Sequence, residues 1–500
     1  MSIKSVLAKP LAGFVSRQQR RYAQEAVDYQ NEILEDLLEL AEDTAFGRNH
    51  KFSQVLTYAD FKQAVPLRDY EGIKSYVNWI LNGEKNVLWP GKPLYLAKTS
   101  GTTSGVKYIP ITRDSIPNHI NTARNALLAL INQTEDAAFL NGKMIFLSGS
   151  PQLQKKNNLL VGRLSGIVNH HIPAYLRNNQ LPTYNTNCIE DWELKLEAIV
   201  QETLGQDMRL ISGIPPWIQM YFDRLHEVSG GKTIGEIFPN LSVIVHGGVN
   251  FSPYQQKLSD SIGKKVNFIE TYPASEGFIA YQDKQDEEGL LLNVNSGIFF
   301  EFVPVNEIFD ENPTRLSLAE VRTGENYAIV LTTNAGLWAY LIGDTVKFVS
   351  LEPPRIIVTG RIKHFISAFG EHVIAEEVEK SLLAVTNTLG GKVVEFHVSP
   401  CVNPADGLPH HAWWIEFDEL PADTTAFAKK LDEQMTQANI YYKDLIQGNV
   451  LSPSQLHIIR KDGFRDYMKS LGKLGGQNKV PRLANDDTFA KGLSHFVLKR

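Results

Sequence analysis

Two hydrophobic rhythms divide the chain. Tyr22, Ala26, Tyr29, Ile33, Leu37 and Ala41 recur every three or four residues, which predicts one long amphipathic helix near the start. Further on, short apolar runs alternate with helical segments. KMIFLSG (Lys143–Gly149), DMRLISG (Asp207–Gly213), LSVIVHGG (Leu241–Gly248) and KKVNFIETY, ending at Tyr272, read as buried strands. IPPWIQMYFDRLHEV, with prolines in its first turn, and SPYQQKLSDSIG, begun by Ser252 and stopped by Gly263, read as the helices between them. Strand, helix, strand in this order predicts a parallel sheet covered by helices, and ligands gather at the carboxyl ends of such strands.

After about Asn293 the texture changes. GIFFEFVPV, YAIVLTTN, LWAYLIGDTVKFVS and PRIIVTG are strands at short intervals, which suggests an antiparallel or barrel-like subdomain. Beyond Phe365 it changes again. AEEVEKSLLAVTNTL and TAFAKKLDEQMTQANIYY read as helices, and KVVEFHVSP, HHAWWIEFDE and SQLHIIRK as strands, making a small α+β unit of its own. The expected fold is therefore α/β: a large N-terminal domain of residues 1–363, with helix-covered, mainly parallel sheets and a β-barrel-like subdomain, and a small C-terminal α+β domain of residues 364–500.

Composition narrows the function classes. Charged residues make up 21% and hydrophobic ones 43%, as in ordinary globular proteins. A net charge of −6, without a basic stripe, argues against a nucleic-acid partner. Cys188 and Cys401 lie far apart and outside any metal-ligand spacing, which fits a reducing compartment. His170-His171 and His410-His411 are not spaced as ligands on one helix face and read as structural. No apolar run is long enough to span a bilayer. The N-terminus MSIKSVLAKPLAGFVSRQQRR is basic and mildly amphipathic, a poor secretory signal. A cytoplasmic protein is expected, with no nucleic-acid, membrane or obligate protein partner.

Four polar islands close predicted strands. The first is KTSGTTSGVK, Lys98 to Lys107. Its glycines let backbone approach an anion, its hydroxyls donate, and its lysines add charge. It is not a P-loop, because three residues separate Gly101 from Gly105 and Val106-Lys107 follow. The second is HGGV, His246 to Val249. The third is ETYPASEG, Glu270 to Gly277, which offers an aromatic face, a hydroxyl and a carboxylate. The fourth places Asp344 after a glycine in AYLIGDTVKF. An aromatic ring, backbone amides, an anion-binding loop and a carboxylate are what a nucleoside triphosphate requires.

In this order the set resembles the adenylate-forming superfamily and, within it, the GH3 family of acyl acid–amido synthetases. TSGTTSGVKYIP is similar to that family's phosphate loop, TYPASEG to its Tyr-x-x-Ser-Glu segment, YLIGDTVKF to its Tyr-x-x-Gly-Asp-Val segment, and GGQNKVPRL to its Gln-x-Lys-x-Pro-Arg ending. GRIKHFISAFGEHVIAEEVE resembles the superfamily's hinge, with His364 where Asp or Lys is usual. The resemblance implies attack of a carboxylate on the α-phosphorus of ATP, then transfer of the acyl group to an amine, usually of an amino acid. It implies ATP and Mg2+ as cofactors, a first domain that binds ATP and acyl substrate, and a mobile second domain.

It also implies roles. Ser100, Gly101, Thr102, Thr103, Ser104 and Gly105 would hold the triphosphate, with Lys107 near its outer phosphates. Tyr272 would stack on adenine beside Gly247, Gly248, Val249 and Thr271. Ser275 would approach the α-phosphate, Glu276 would ligate Mg2+, and Asp344 and Arg361 would meet the ribose. Lys479 would stabilise the adenylation transition state. An acyl-CoA ligase shares all these residues, and a nucleotide-binding protein without catalysis is the third reading. The acyl pocket is expected between Pro215, Pro216 and Trp217 and the loop Ser148–Pro151, its substrate unread.

Overall fold

A computed structural model describes residues 3–498 apart from 100–106, 173–176, 249–250, 309, 363–364, 367–372, 403, 448–449, 475–478 and 485. The chain forms two compact units. The first comprises Met1–Ile342 and Val346–Val358; the second comprises Gly343–Thr345 and Thr359–Arg500.

The first unit is organised by an eleven-stranded sheet. Its parallel end runs Asn267–Pro273, Val243–Gly247, Met208–Gly213, Lys143–Phe146 and Gln180–Leu181, in that spatial order. Residues alternate across it, as a pleated strand requires. Ile145, Ile211 and Ile244 point to one face, where Trp217, Ile218, Tyr221 and Leu258 of helices Pro215–Val228 and Ser252–Ile262 cover them. Met144, Leu210, Val243 and Ile269 point to the other, under helices Ile3–Gln24 and Ile116–Thr134. Burial on both faces explains why these strands read as continuous apolar runs.

The antiparallel strands expected after Asn293 are present. Ile298–Pro304, Asn326–Thr333, Tyr340–Leu351 and Pro354–Arg361 stand side by side and continue through Leu290–Leu292 and Phe278–Tyr281 into the parallel strands, so they extend the same sheet. Ile298–Pro304 is its edge. Buried Gln30 donates to the carbonyls of Val294 (2.8 Å) and Ile298 (2.9 Å) and accepts from Phe300 N–H at 2.8 Å, so this stretch of the edge is occupied by a side chain. A second sheet, ordered Lys107–Ile111, Tyr95–Thr99, Leu159–Gly162, Gln154–Lys156, carries the hairpin around the Ser/Thr/Gly loop.

The single opening helix is two. Ile3–Gln24 and Ala26–Ala41 meet at Glu25, whose φ of −103° and ψ of 30° leave the helical region. The break lets the first helix pack on Ile116–Thr134 and the second on the edge strand Ile298–Pro304.

In the second unit, strands Lys392–Cys401 and His410–Glu419 are antiparallel, and Gln455–Ile459 joins the latter in parallel. Phe396, Val398, Trp413 and Ile415 face helices Ala375–Leu389 and Thr424–Ala438; Trp414 and Ile459 face Phe464, Ala490 and Leu493 on the opposite side. The second expected helix also breaks, at Asn439. Its amide oxygen accepts from Tyr442 N–H at 2.8 Å and its amide nitrogen donates to Glu377, so it caps a new helix, Ile440–Gln447. Among the described residues, no helix is long and apolar enough to cross a membrane.

Candidate functional site

In the first unit, the carboxyl end of strand Val243–Gly247 lies beside Asn267–Pro273, with Gly247 opposite Thr271. The approach is close. A Cβ on Gly247 would come within 2.2 Å of the Thr271 carbonyl oxygen and 2.7 Å of its Oγ1, so only glycine fits. Thr271 Oγ1 donates to the His246 carbonyl at 2.9 Å, locking the two strand ends together. Gly248 follows with φ +79°, a left-handed turn that glycine enters without strain.

Tyr272, buried at the end of the next strand, stands opposite Ala280 in the hairpin that follows. Ser275 and Glu276 are half-buried in that hairpin's turn, closed by hydrogen bonds in both directions between Ala274 and Gly277. Asn118 fixes the hairpin from the helix above: its amide accepts from Phe278 N–H at 2.7 Å and donates to Phe278 O and Ser296 Oγ. The fold thus brings Gly247, Gly248, Thr271, Tyr272, Ser275 and Glu276 to one end of the sheet. Val249 and the whole loop Ser100, Gly101, Thr102, Thr103, Ser104 and Gly105 lie outside the described residues. Lys107 is placed: it opens its strand opposite Thr99, with its ammonium 5.7 Å from the Tyr70 ring centre.

Two titratable groups near these strand ends are perturbed. His246, stacked on Phe251 at 3.8 Å, is held far below the ordinary histidine value, at about 3, by burial. Burial also pushes the Glu270 carboxyl up.

The second unit gathers Asp344, Arg361 and Lys479. Arg361 Nε meets Asp344 Oδ1 at 2.8 Å, and Ile362 N–H donates to the Gly343 carbonyl at 2.7 Å, holding the two chain segments in register. Lys479 sits in the electrostatic field of both. Loss of hydration pulls its ammonium down to about 8; Asp344 opposes that fall, while Arg361 and Arg482 add to it. Lys479 itself is solvent-exposed, which limits that loss of hydration.

The segment carrying Lys479 is tied to the free edge of the C-terminal sheet. Val398 N–H donates to Arg482 O at 2.8 Å, and Ala484 N–H to Val398 O at 3.0 Å. Arg482 is the clamp: its guanidinium bonds Glu395 at 3.1 Å and Glu379 at 3.0 Å and lies 5.0 Å from the Phe396 ring centre. Sequence reasoning named Lys479 but gave Arg482 no role, although both stand in QNKVPR. It also passed over Lys195, which is 2% exposed and donates to the carbonyls of Ser148 and Asn187, both at 2.8 Å. Burial lowers it to about 8.

The histidine pairs are engaged in the fold. His170 and His171 reach the Pro151 carbonyl and the Tyr95 hydroxyl. His364 lies outside the described residues.

A large unit built on a mixed sheet covered by helices, with a small α+β unit, defines a class of two-unit α/β folds. Solved members of that class include AtGH3.15 acyl acid amido synthetase in complex with 2,4-DB (TM-score 0.80, 18% identity, 98% of this chain and 96% of that one). They also include 2-hydroxyisobutyryl-CoA ligase in complex with 2-HIB-AMP (TM-score 0.59, 12% identity, 96% and 91%). The GH3 family N-terminal domain matches residues 15–171, the GH3 family central domain 291–361 and the GH3 family C-terminal domain 376–488. The chain belongs to the GH3 family. Jasmonoyl-L-amino acid synthetase JAR4 of Nicotiana attenuata is 22% identical to it over 91% of this chain and 90% of its own length.

Proposed function

We propose that this chain is an ATP-dependent acyl acid–amido synthetase. It adenylates a carboxylic acid, then transfers the acyl group to an amino-acid amine, releasing AMP and pyrophosphate. The observation that carries this reading is the run of three GH3 domains along the chain, in family order.

The residues divide the chemistry between them. A carboxylate facing a polyanion is a poor nucleophile until charge is neutralised and the reactants are held in line. Tyr272, with Gly247, Gly248, Val249 and Thr271, takes the adenine; Asp344 accepts from ribose hydroxyls while Arg361 orients it; Ser275 donates to the α-phosphate. Ser100, Gly101, Thr102, Thr103, Ser104, Gly105 and Lys107 take the outer phosphates. Lys479 places a positive charge on the oxygens that gain charge as the acid attacks.

Glu276 fits Mg2+ as a single half-exposed carboxylate in a turn. Among the described residues no cluster of three or more metal-binding side chains exists, and Mg2+ is commonly held by one or two carboxylates with phosphate oxygens and water. When bound, the ion supplies charge neutralisation on the phosphates. In this reading residues 1–363 bind ATP and acyl substrate and 364–500 are mobile, with Gly343–Thr345 and Thr359–Ile362 packing with the second unit. The free thiols of Cys188 and Cys401 support a cytoplasmic setting.

The test is pyrophosphate release over a panel of carboxylic acids, followed by mass spectrometry of products formed with mixed amino acids and coenzyme A. Amide product with AMP is expected. Thioester product would make the chain an acyl-CoA ligase, and nucleotide binding without turnover on any acid would remove the enzymatic reading.

A further inference from the structure

The basic N-terminal stretch has no part in the chemistry above, and the structure gives it a fixed place. Helix Ile3–Gln24 contributes Ala8, Ala12, Val15 and Ala23 to the core shared with helix Ile116–Thr134. Small residues on this inner face let the two helices approach closely. That docking determines which residues face outward: Leu7 is 63% exposed, Phe14 59%, Val6 54% and Leu11 48%. Four large apolar side chains within nine residues are left in water on an element that is otherwise well packed.

Their spacing is ordered. Leu7, Leu11 and Phe14 follow one another at four and three residues, so they form one ridge along the helix. The same ridge begins at Lys4 and continues past Phe14 to Arg17 and Arg21. Lys9 and Arg20 add positive charge on the exposed surface. The helix therefore holds five cations and no acidic residue, on a chain whose net charge is −6. Arg21 spends part of its charge on Glu25, at 3.3 Å.

We propose that this outer face of helix Ile3–Gln24 is a docking surface for an anionic lipid bilayer. An apolar ridge bracketed by lysine and arginine is the arrangement by which a helix lies in the membrane interface, its apolar side chains among the acyl chains and its cations at the headgroups. Charge is the reason for choosing this occupant: a second copy would bring the same five cations against these, whereas an anionic surface complements them. The absence of a spanning segment, from which no membrane partner was expected, does not bear on a helix that lies flat and crosses nothing. The face shares no residue with those assigned to adenylation, so the two proposals are tested independently.

The test is flotation of the full chain with vesicles of phosphatidylcholine alone and of phosphatidylcholine with about 30% phosphatidylglycerol. Binding is expected only to the anionic vesicles. It should fall sharply as salt rises from about 0.1 M to about 1 M, which shortens the screening length from about 10 Å to about 3 Å. The variant Leu7→Gln/Leu11→Gln/Phe14→Gln should lose binding, and Lys4→Gln and Arg17→Gln should each weaken it about fivefold. These residues are exposed, so the variants should keep the parent melting temperature, which is measured alongside. No flotation with anionic vesicles overturns the proposal, as does equal flotation of the triple variant. A dimer of the parent chain that the triple variant abolishes, with no vesicle binding, would assign the face to a second copy instead.

Discussion

Lys479 offers the most searching test of the catalytic assignment, because its environment changes when it should work. An ordinary lysine, near 10.5, is almost fully protonated at pH 9. Held at about 8, Lys479 is not. Its charged fraction falls from about 0.9 at pH 7 to about 0.1 at pH 9, from the titration relation applied to that value. If the ammonium stabilises the adenylation transition state, kcat/KM for Mg-ATP in pyrophosphate release, which reports the free enzyme, should drop by roughly tenfold over that interval. Carboxylic acid and ATP are already ionised there. Aminolysis of a supplied acyl-adenylate should show no such loss. Lys479→Ala should slow adenylation throughout and abolish the alkaline limb. The neighbours set a second condition. Arg482 lowers Lys479, so Arg482→Met should move the limb to higher pH, and the carboxylates of Glu379 and Glu395, released from their clamp, push the same way. A wild-type limb above pH 10, or an Arg482→Met limb displaced towards acid, would refute the reasoning.

Other expectations follow from packing. Lys195→Met leaves the Ser148 and Asn187 carbonyls without their donor and should cost about 1–3 kcal/mol by denaturant titration. Because the folded value of Lys195 lies below its unfolded one, the native state binds this proton less tightly. Its buried ammonium opposes folding below pH 8, and the penalty fades as pH rises from 8 towards 10.5. Wild type should therefore gain stability over Lys195→Met across that window, and a flat difference would contradict this. Arg315→Met strands the fully buried Glu301 carboxylate, which Arg315 meets at 2.7 Å, and should cost about 3–5 kcal/mol; a melting temperature close to wild type would count against it. Gly247→Ala forces a methyl group onto the Thr271 carbonyl and should cost about 1–3 kcal/mol while weakening ATP binding in a thermal-shift titration. Unchanged affinity would remove this strand end from the nucleotide site.

Much of this was legible along the chain, for reasons that can be named. Strands buried on both faces, such as Val243–Gly247, are unbroken apolar runs, and the glycines that end them announce close backbone approach. The helix Ser252–Ile262 ends at Gly263 with φ +70°, as its sequence predicts. Helix breaks were not legible. Glu25 and Asn439 interrupt sound helical patterns because of what each flanking helix packs against, and those partners are distant in sequence. Buried ion pairs were hidden for the same reason. Arg482 finds Glu395 and Glu379 across 87 and 103 residues, and nothing local in any of the three segments tells of the others. The four-stranded sheet that includes Tyr95–Thr99 and Lys107–Ile111 was missed because Gln154–Lys156 is wholly exposed and carries no strand periodicity.

The claim beneath all of these is that a carboxylate oxygen attacks the α-phosphorus of ATP. Supplying a carboxylic acid labelled with oxygen-18 at both oxygens, with Mg-ATP and an amino acid, and weighing the products tests it directly. The account expects one labelled oxygen in AMP, the other retained in the amide, and none in the pyrophosphate. Label appearing in inorganic phosphate, with ADP as the nucleotide product, would mean activation at the γ-phosphorus and would contradict it.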